Sequence, residues 1–117
     1  MHINFDLFRD ILIDIDEDDG VEDLDSDCLT YDYATEKEKL FHIKLLVREG
    51  YISAIDTSSA DGISFSNMEM TIKGALFLEQ FRDQTIFERV KEIAIKSFQA
   101  TSLSDFITIA KTLYQNP

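Results

Sequence analysis

Apolar side chains recur along this chain at two spacings, and the switches between them lay out its elements. Phe5, Phe8, Ile11, Leu12 and Ile15 fall at helical intervals, with Leu7 and Ile13 widening the face. Asn4 stands where an N-cap belongs, so the spacing predicts a first helix ending near Glu17, in a loop closed by Gly20. From Cys28 to Tyr33, Leu29, Tyr31 and Tyr33 alternate with Thr30 and Asp32, which predicts a short strand. Thr35 with Glu38 three residues on forms a capping box. It opens a second helix to about Glu49 with Leu40, Ile43, Leu46 and Val47 inward, and Gly50 stops it.

The period then returns to two. Tyr51–Ile55 and Ile63–Met70 read as strands around a polar tip containing Asp56, Thr57, Ser58, Ser59 and Gly62, which together make a hairpin. Thr71 caps a third helix to about Arg82, with Ile72, Ala75, Leu76 and Leu78 or Phe81 as its expected core face. Thr85 with Glu88 suggests a fourth helix, bearing Phe87, Val90, Ala94 and Phe98. Ser102 and Asp105 suggest a last one, bearing Leu103, Phe106, Ile107, Ala110, Leu113 and Tyr114. A helix feeding a two-stranded wing, after a helix and a short strand, is a winged-helix-like α+β arrangement. The 117 residues fit one domain, with a core over about 4–82 and a helical extension over about 84–115.

Charge changes this picture by its position. The net charge is −12, which argues against a general nucleic-acid binder and against anionic lipid. Met1–Tyr33 holds 12 acids and one base, Arg9, for a net of −11, whereas the remainder has 11 acids and 10 bases. The acidity is therefore a local patch, densest at Asp14, Asp16, Glu17, Asp18, Asp19, Glu22 and Asp23. A calcium loop of EF-hand type fails there in both frames. Starting at Asp14 puts Asp19 where glycine is required, and aligning Gly20 puts Ile15 and Ser26 at ligand positions. The plain reading is a solvated acidic loop.

Other chemistry is sparse. With one cysteine, Cys28, no intrachain disulfide forms, and Cys28, His2 and His42 lack the spacing of a zinc site. A Cys28 nucleophile with His42 as base has no recognisable catalytic signature around it, and no nucleotide loop or nucleophile elbow is present. No metal, cofactor or catalytic residue is expected. No apolar run approaches the roughly 20 residues of a membrane span. The first residues lack a signal peptide's basic region and apolar core, so the expected location is the cytoplasm.

Four segments in order resemble the domain of unknown function 2513 family. They are Asp6–Leu12, Phe41–Ile52 with its His-Ile-Lys-Leu-Leu run, Met70–Leu78, and Phe81–Lys91 with its Arg-Asp and Thr-Ile pairs. The resemblance covers most of 5–91. It implies a small bacterial, phage or prophage protein with a winged-helix fold and no established activity. Phe87 stands where the family usually has Trp, Met70 where it has Leu, and the acidic loop is longer and more charged than the family pattern.

Two functional expectations follow. In the first, the domain is a non-catalytic regulatory interaction module whose acidic patch steers a basic protein partner. The apolar stripe of the last helix offers a homodimer seam, or simply packs on the core. In the second, it is a DNA-binding regulator that uses helix 35–49 and wing 51–70. Lys37, Lys44 and Arg48 fall within about 40° of one another around that helix. Glu36, Glu38 and Glu49 share the helix, and no Lys or Arg lies between Ile52 and Ile72, so the wing lacks the bases a phosphate-gripping wing carries.

Overall fold

The structure is a computed structural model and describes residues 3–18, 20 and 22–98. Asp19 of the acidic patch, the expected last helix from Ser102 and its dimer seam lie outside the described residues. The observed order is α1 (Phe5–Glu17), a single 3-10 turn (Ser26–Cys28), α2 (Glu36–Arg48), β1 (Ile52–Asp56), β2 (Phe65–Met70), α3 (Ile72–Phe81) and α4 (Gln84–Phe98). Among the described residues this is an α+β fold of four α-helices and one two-stranded antiparallel sheet, the helix-and-wing arrangement read from the sequence.

The helix starts follow their capping chemistry. The Asn4 side chain accepts from Leu7 N–H, Thr71 from Gly74 N–H, and Thr35 and Glu38 form a complete capping box. The start of α4 is a correction. The side chain of Asp83, rather than Thr85, accepts the Thr85 and Ile86 N–H groups. Asp83 lies closer to the orphan donors of the first turn, so it takes the cap.

The expected strand over Cys28–Tyr33 is also corrected. That stretch enters through the 3-10 turn and continues as loop. The edge of β2 is met further upstream, where Leu24 carbonyl accepts from Met68 N–H at 3.0 Å and Ser26 Oγ from Phe65 N–H at 3.1 Å. Alternation alone could not register that a buried lysine gathers the local carbonyls. Lys39 Nζ lies 2.8 Å from both Ser26 O and Leu29 O and 2.9 Å from the Glu36 carboxylate. Those carbonyls turn toward one cation instead of along a strand ladder.

The hairpin pairs Ile52 with Met70, Ser53 with Glu69, Ile55 with Ser66 and Asp56 with Phe65. Two residues, Asn67 and Met68, therefore face Ala54 alone, a β-bulge. Asn67 takes φ 52°, a left-handed conformation that Asn tolerates better than most residues.

The core is built on α1. Leu7, Phe8, Ile11 and Leu12 are buried with Ile43 and Leu46 of α2, Ile52 of β1, Phe65 and Met68 of β2, and Leu78 of α3. Each such side chain contributes about 1.5–3 kcal/mol of burial. An aromatic chain ties the layers: Phe8 meets Tyr51 and Phe77 edge-on, Phe77 meets Phe81, and Phe81 meets Phe87 of α4. Phe87 and Val90 are buried, so the core continues past residue 82 into α4.

On α3 the inward face is rotated from expectation. Gly74, Phe77, Leu78 and Phe81 are buried, whereas Ile72 and Leu76 are 82% and 62% exposed and Ala75 is exposed. The cause is the close approach of Gly74 to β1. A Cβ at that position would stand 2.1 Å from the Tyr51 carbonyl oxygen. A residue without a side chain thus sets the contact face, and a hydrophobic count cannot see it.

Candidate functional site

Two charged surfaces were proposed from sequence, and the fold treats them differently. Lys37, Lys44 and Arg48 are all exposed on the outer side of α2. The Arg48 guanidinium lies 3.6 Å from the adjacent Glu49 carboxylate. Ser58, with a smaller contribution from the field of Lys44, holds the Asp56 carboxyl below its ordinary range. The stripe is therefore real but bordered by acids, and the wing beside it carries exposed Asp56, Asp61 and Glu69.

The acidic patch divides in two. Asp14 accepts from the Tyr31 hydroxyl at 2.6 Å, and Asp16 pairs with Arg82 at 2.5 Å. Asp14 belongs to a row one helical turn apart on α1 (Asp6, Asp10, Asp14), each member of which fastens another segment. Asp6 holds Lys91 of α4, and Asp10 accepts from the Tyr33 hydroxyl. Desolvation first, then these carboxylates, push both tyrosine hydroxyls well above their ordinary pKa. These carboxylates hold the loop before α2, the end of α3 and α4 against α1.

Glu17, Asp18, Glu22 and Asp23 remain exposed. Asp14, on α1 before them, accepts from Tyr31, and Leu24 and Ser26, which follow them, bond to β2.

Of the other ionisable groups the fold uses, the sequence marks His42 only as a zinc ligand or a base for Cys28, and it does not mark Arg9 or Lys39 as sites. Arg9 is buried, and its guanidinium donates to Phe81 O at 2.7 Å, Gln84 Oε1 at 2.7 Å and Arg82 O at 2.5 Å. It also lies over the Phe87 ring. Lys39 and His42 are buried on α2, on the Ile43–Leu46 face, and the helical spacing 39, 42, 43, 46 was the available signal. His42 uses both ring nitrogens within the fold, whereas Cys28 is exposed. Tyr51 is pushed up to about 12 by burial. Among the described residues every buried side-chain polar atom has a hydrogen-bond partner, and no cluster of His, Cys, Asp and Glu has the makings of a metal site. None of the described helices is long and apolar enough to cross a membrane.

A Haemophilus influenzae protein, described as uncharacterized, is 28% identical over 122 residues, covering 97% of this chain and 95% of its own length. No solved structure matches the chain. The sequence model of a family described as "Hypothetical protein (DUF2513)" matches residues 2–101, and with that span the chain belongs to the DUF2513 family.

Proposed function

We propose that this protein is a non-catalytic, cytoplasmic interaction module of regulatory, phage or prophage type that docks a basic protein through its acidic loop. The observation that carries the reading is the set of exposed carboxylates at Glu17, Asp18, Glu22 and Asp23. A concentrated field accelerates encounter with an oppositely charged partner. Tyr31, Tyr51 and His42, whose pKa values burial shifts, serve packing and internal hydrogen bonds in the fold.

A purified chain bearing Glu17→Gln, Asp18→Asn, Glu22→Gln and Asp23→Asn tests this. Affinity capture from the native host with the unchanged protein should recover a basic protein, and the neutralised chain should associate with it more slowly and with a weaker salt dependence. Equal association rates would count against acidic docking.

The second reading is duplex binding through Lys37, Lys44 and Arg48, favoured by their shared exposed face. It predicts a mobility shift that weakens steeply with salt and is lost in Lys44→Glu. Under the reading preferred here, micromolar protein leaves duplex DNA unshifted even at low salt.

A further inference from the structure

The His42 ring is completely buried where the start of α1 meets α2. Its Nε2 accepts the backbone N–H of Asn4 at 2.8 Å, and its Nδ1 lies 2.7 Å from the Glu38 carbonyl oxygen one turn back. An N–H must donate and a carbonyl must accept, so one tautomer fits, with the proton on Nδ1 and the lone pair on Nε2. The neutral ring is then fully used. A second proton on Nε2 would face the Asn4 N–H with nothing to accept it, in a site closed to water. Asn4 is also the residue that caps α1, its Oδ1 accepting Leu7 N–H at 3.1 Å. We propose that His42 is an acid-sensitive latch: neutral, it fastens the start of α1 to α2, and protonated, it releases Asn4 and loosens the first turn of α1.

The surroundings favour the neutral ring. Desolvation holds the His42 pKa below its ordinary 6.5, outweighing the Glu38 carbonyl and the Glu38 charge, which both favour the imidazolium. The Glu38 carboxylate is itself engaged by the Thr35 N–H. From α1 the ring meets uncharged Asn4, while the charged residues nearest in sequence are spent elsewhere, Asp6 on Lys91 and Arg9 on the end of α3. Phe41 adds an aromatic edge 5.3 Å away. Because the folded-state pKa is depressed, the unfolded or unlatched chain takes up the proton first as pH falls. The latch is at full strength above 6.5 and weakens below it until the folded-state value is passed.

The chain has two histidines, so a full-length His2→Ala protein leaves one imidazole to follow by NMR. His42 should titrate below 6.5, and the Asn4 amide resonance should move with the same midpoint. Amide protection of Asn4 should fall roughly tenfold per pH unit between the latched and unlatched pKa values. In His42→Gln that acid step should disappear. Titration of His42 at or above 6.5, an Asn4 amide indifferent to it, or an acid step that persists in His42→Gln overturns the proposal. If the Gln protein fails to fold, the first two observations decide the matter alone.

Discussion

Gly74 shows how much a single residue decides. Its Cα lies so close to the chain before β1 that an added methyl would stand 2.1 Å from Tyr51 O and 2.6 Å from Met70 Sδ. The sulfur can swing aside but the backbone carbonyl cannot. Gly74→Ala should destabilise the fold by about 2–3 kcal/mol, the scale of an overpacked core site, read from the midpoint of chemical denaturation. An unchanged midpoint would mean that α3 is free to withdraw from Tyr51. The same contact explains why only part of the expected core face of α3 turns inward: Leu78 and Phe81 are buried as expected, but Ile72, Ala75 and Leu76 are exposed and the glycine turns Phe77 inward instead. The burial of Lys39 and His42 is hidden in the sequence for a related reason. Both are polar residues at apolar positions, and only the carbonyls and N–H that fold around them account for their burial.

At the scale of elements, α1 is the scaffold and its polar side chains are the fasteners. Its apolar face, its N-cap and the capping box of α2 were legible in the sequence because each depends on neighbours within about one turn. The fastenings were not, since they join residues far apart: Arg9 to the end of α3, Asp6 to α4, Asp14 to Tyr31. Arg9 is the most exacting of these. Its three donors meet two backbone carbonyls and one amide oxygen in a fork that lysine cannot reproduce. Arg9→Lys should therefore cost about 2–3 kcal/mol although the charge is kept, because buried carbonyls at the end of α3 lose their donors. Thermal melting with an equal loss of near-ultraviolet signal would mark it, and a melting point within about a degree of the unchanged protein would contradict it. The expected strand over Cys28–Tyr33 failed on a similar ground, its Leu29 carbonyl and that of Ser26 just before it both being claimed by Lys39.

For the whole molecule, the placement of charge matters more than its sum. A net −12 is distributed so that α1 spends Asp6, Asp10, Asp14 and Asp16 on partners within the chain, leaving Glu17, Asp18, Glu22 and Asp23 exposed. The sequence located the patch but could not divide it, because the division depends on Tyr31, Tyr33, Lys91 and Arg82 arriving from elsewhere in the fold. The basic stripe of α2 survives intact as a surface, yet it adjoins a wing without a single Lys or Arg between Ile52 and Ile72. Phosphate affinity scales with the number of cations engaged, so three on one helix beside an acidic hairpin make a poor duplex grip. The direct test is the association rate of the captured basic partner with the unchanged protein and with the chain neutralised at Glu17, Asp18, Glu22 and Asp23, measured across a salt series. The account predicts a fast, strongly salt-dependent rate that slows roughly tenfold or more and flattens with salt on neutralisation. Equal rates and equal salt slopes for the two proteins would contradict it.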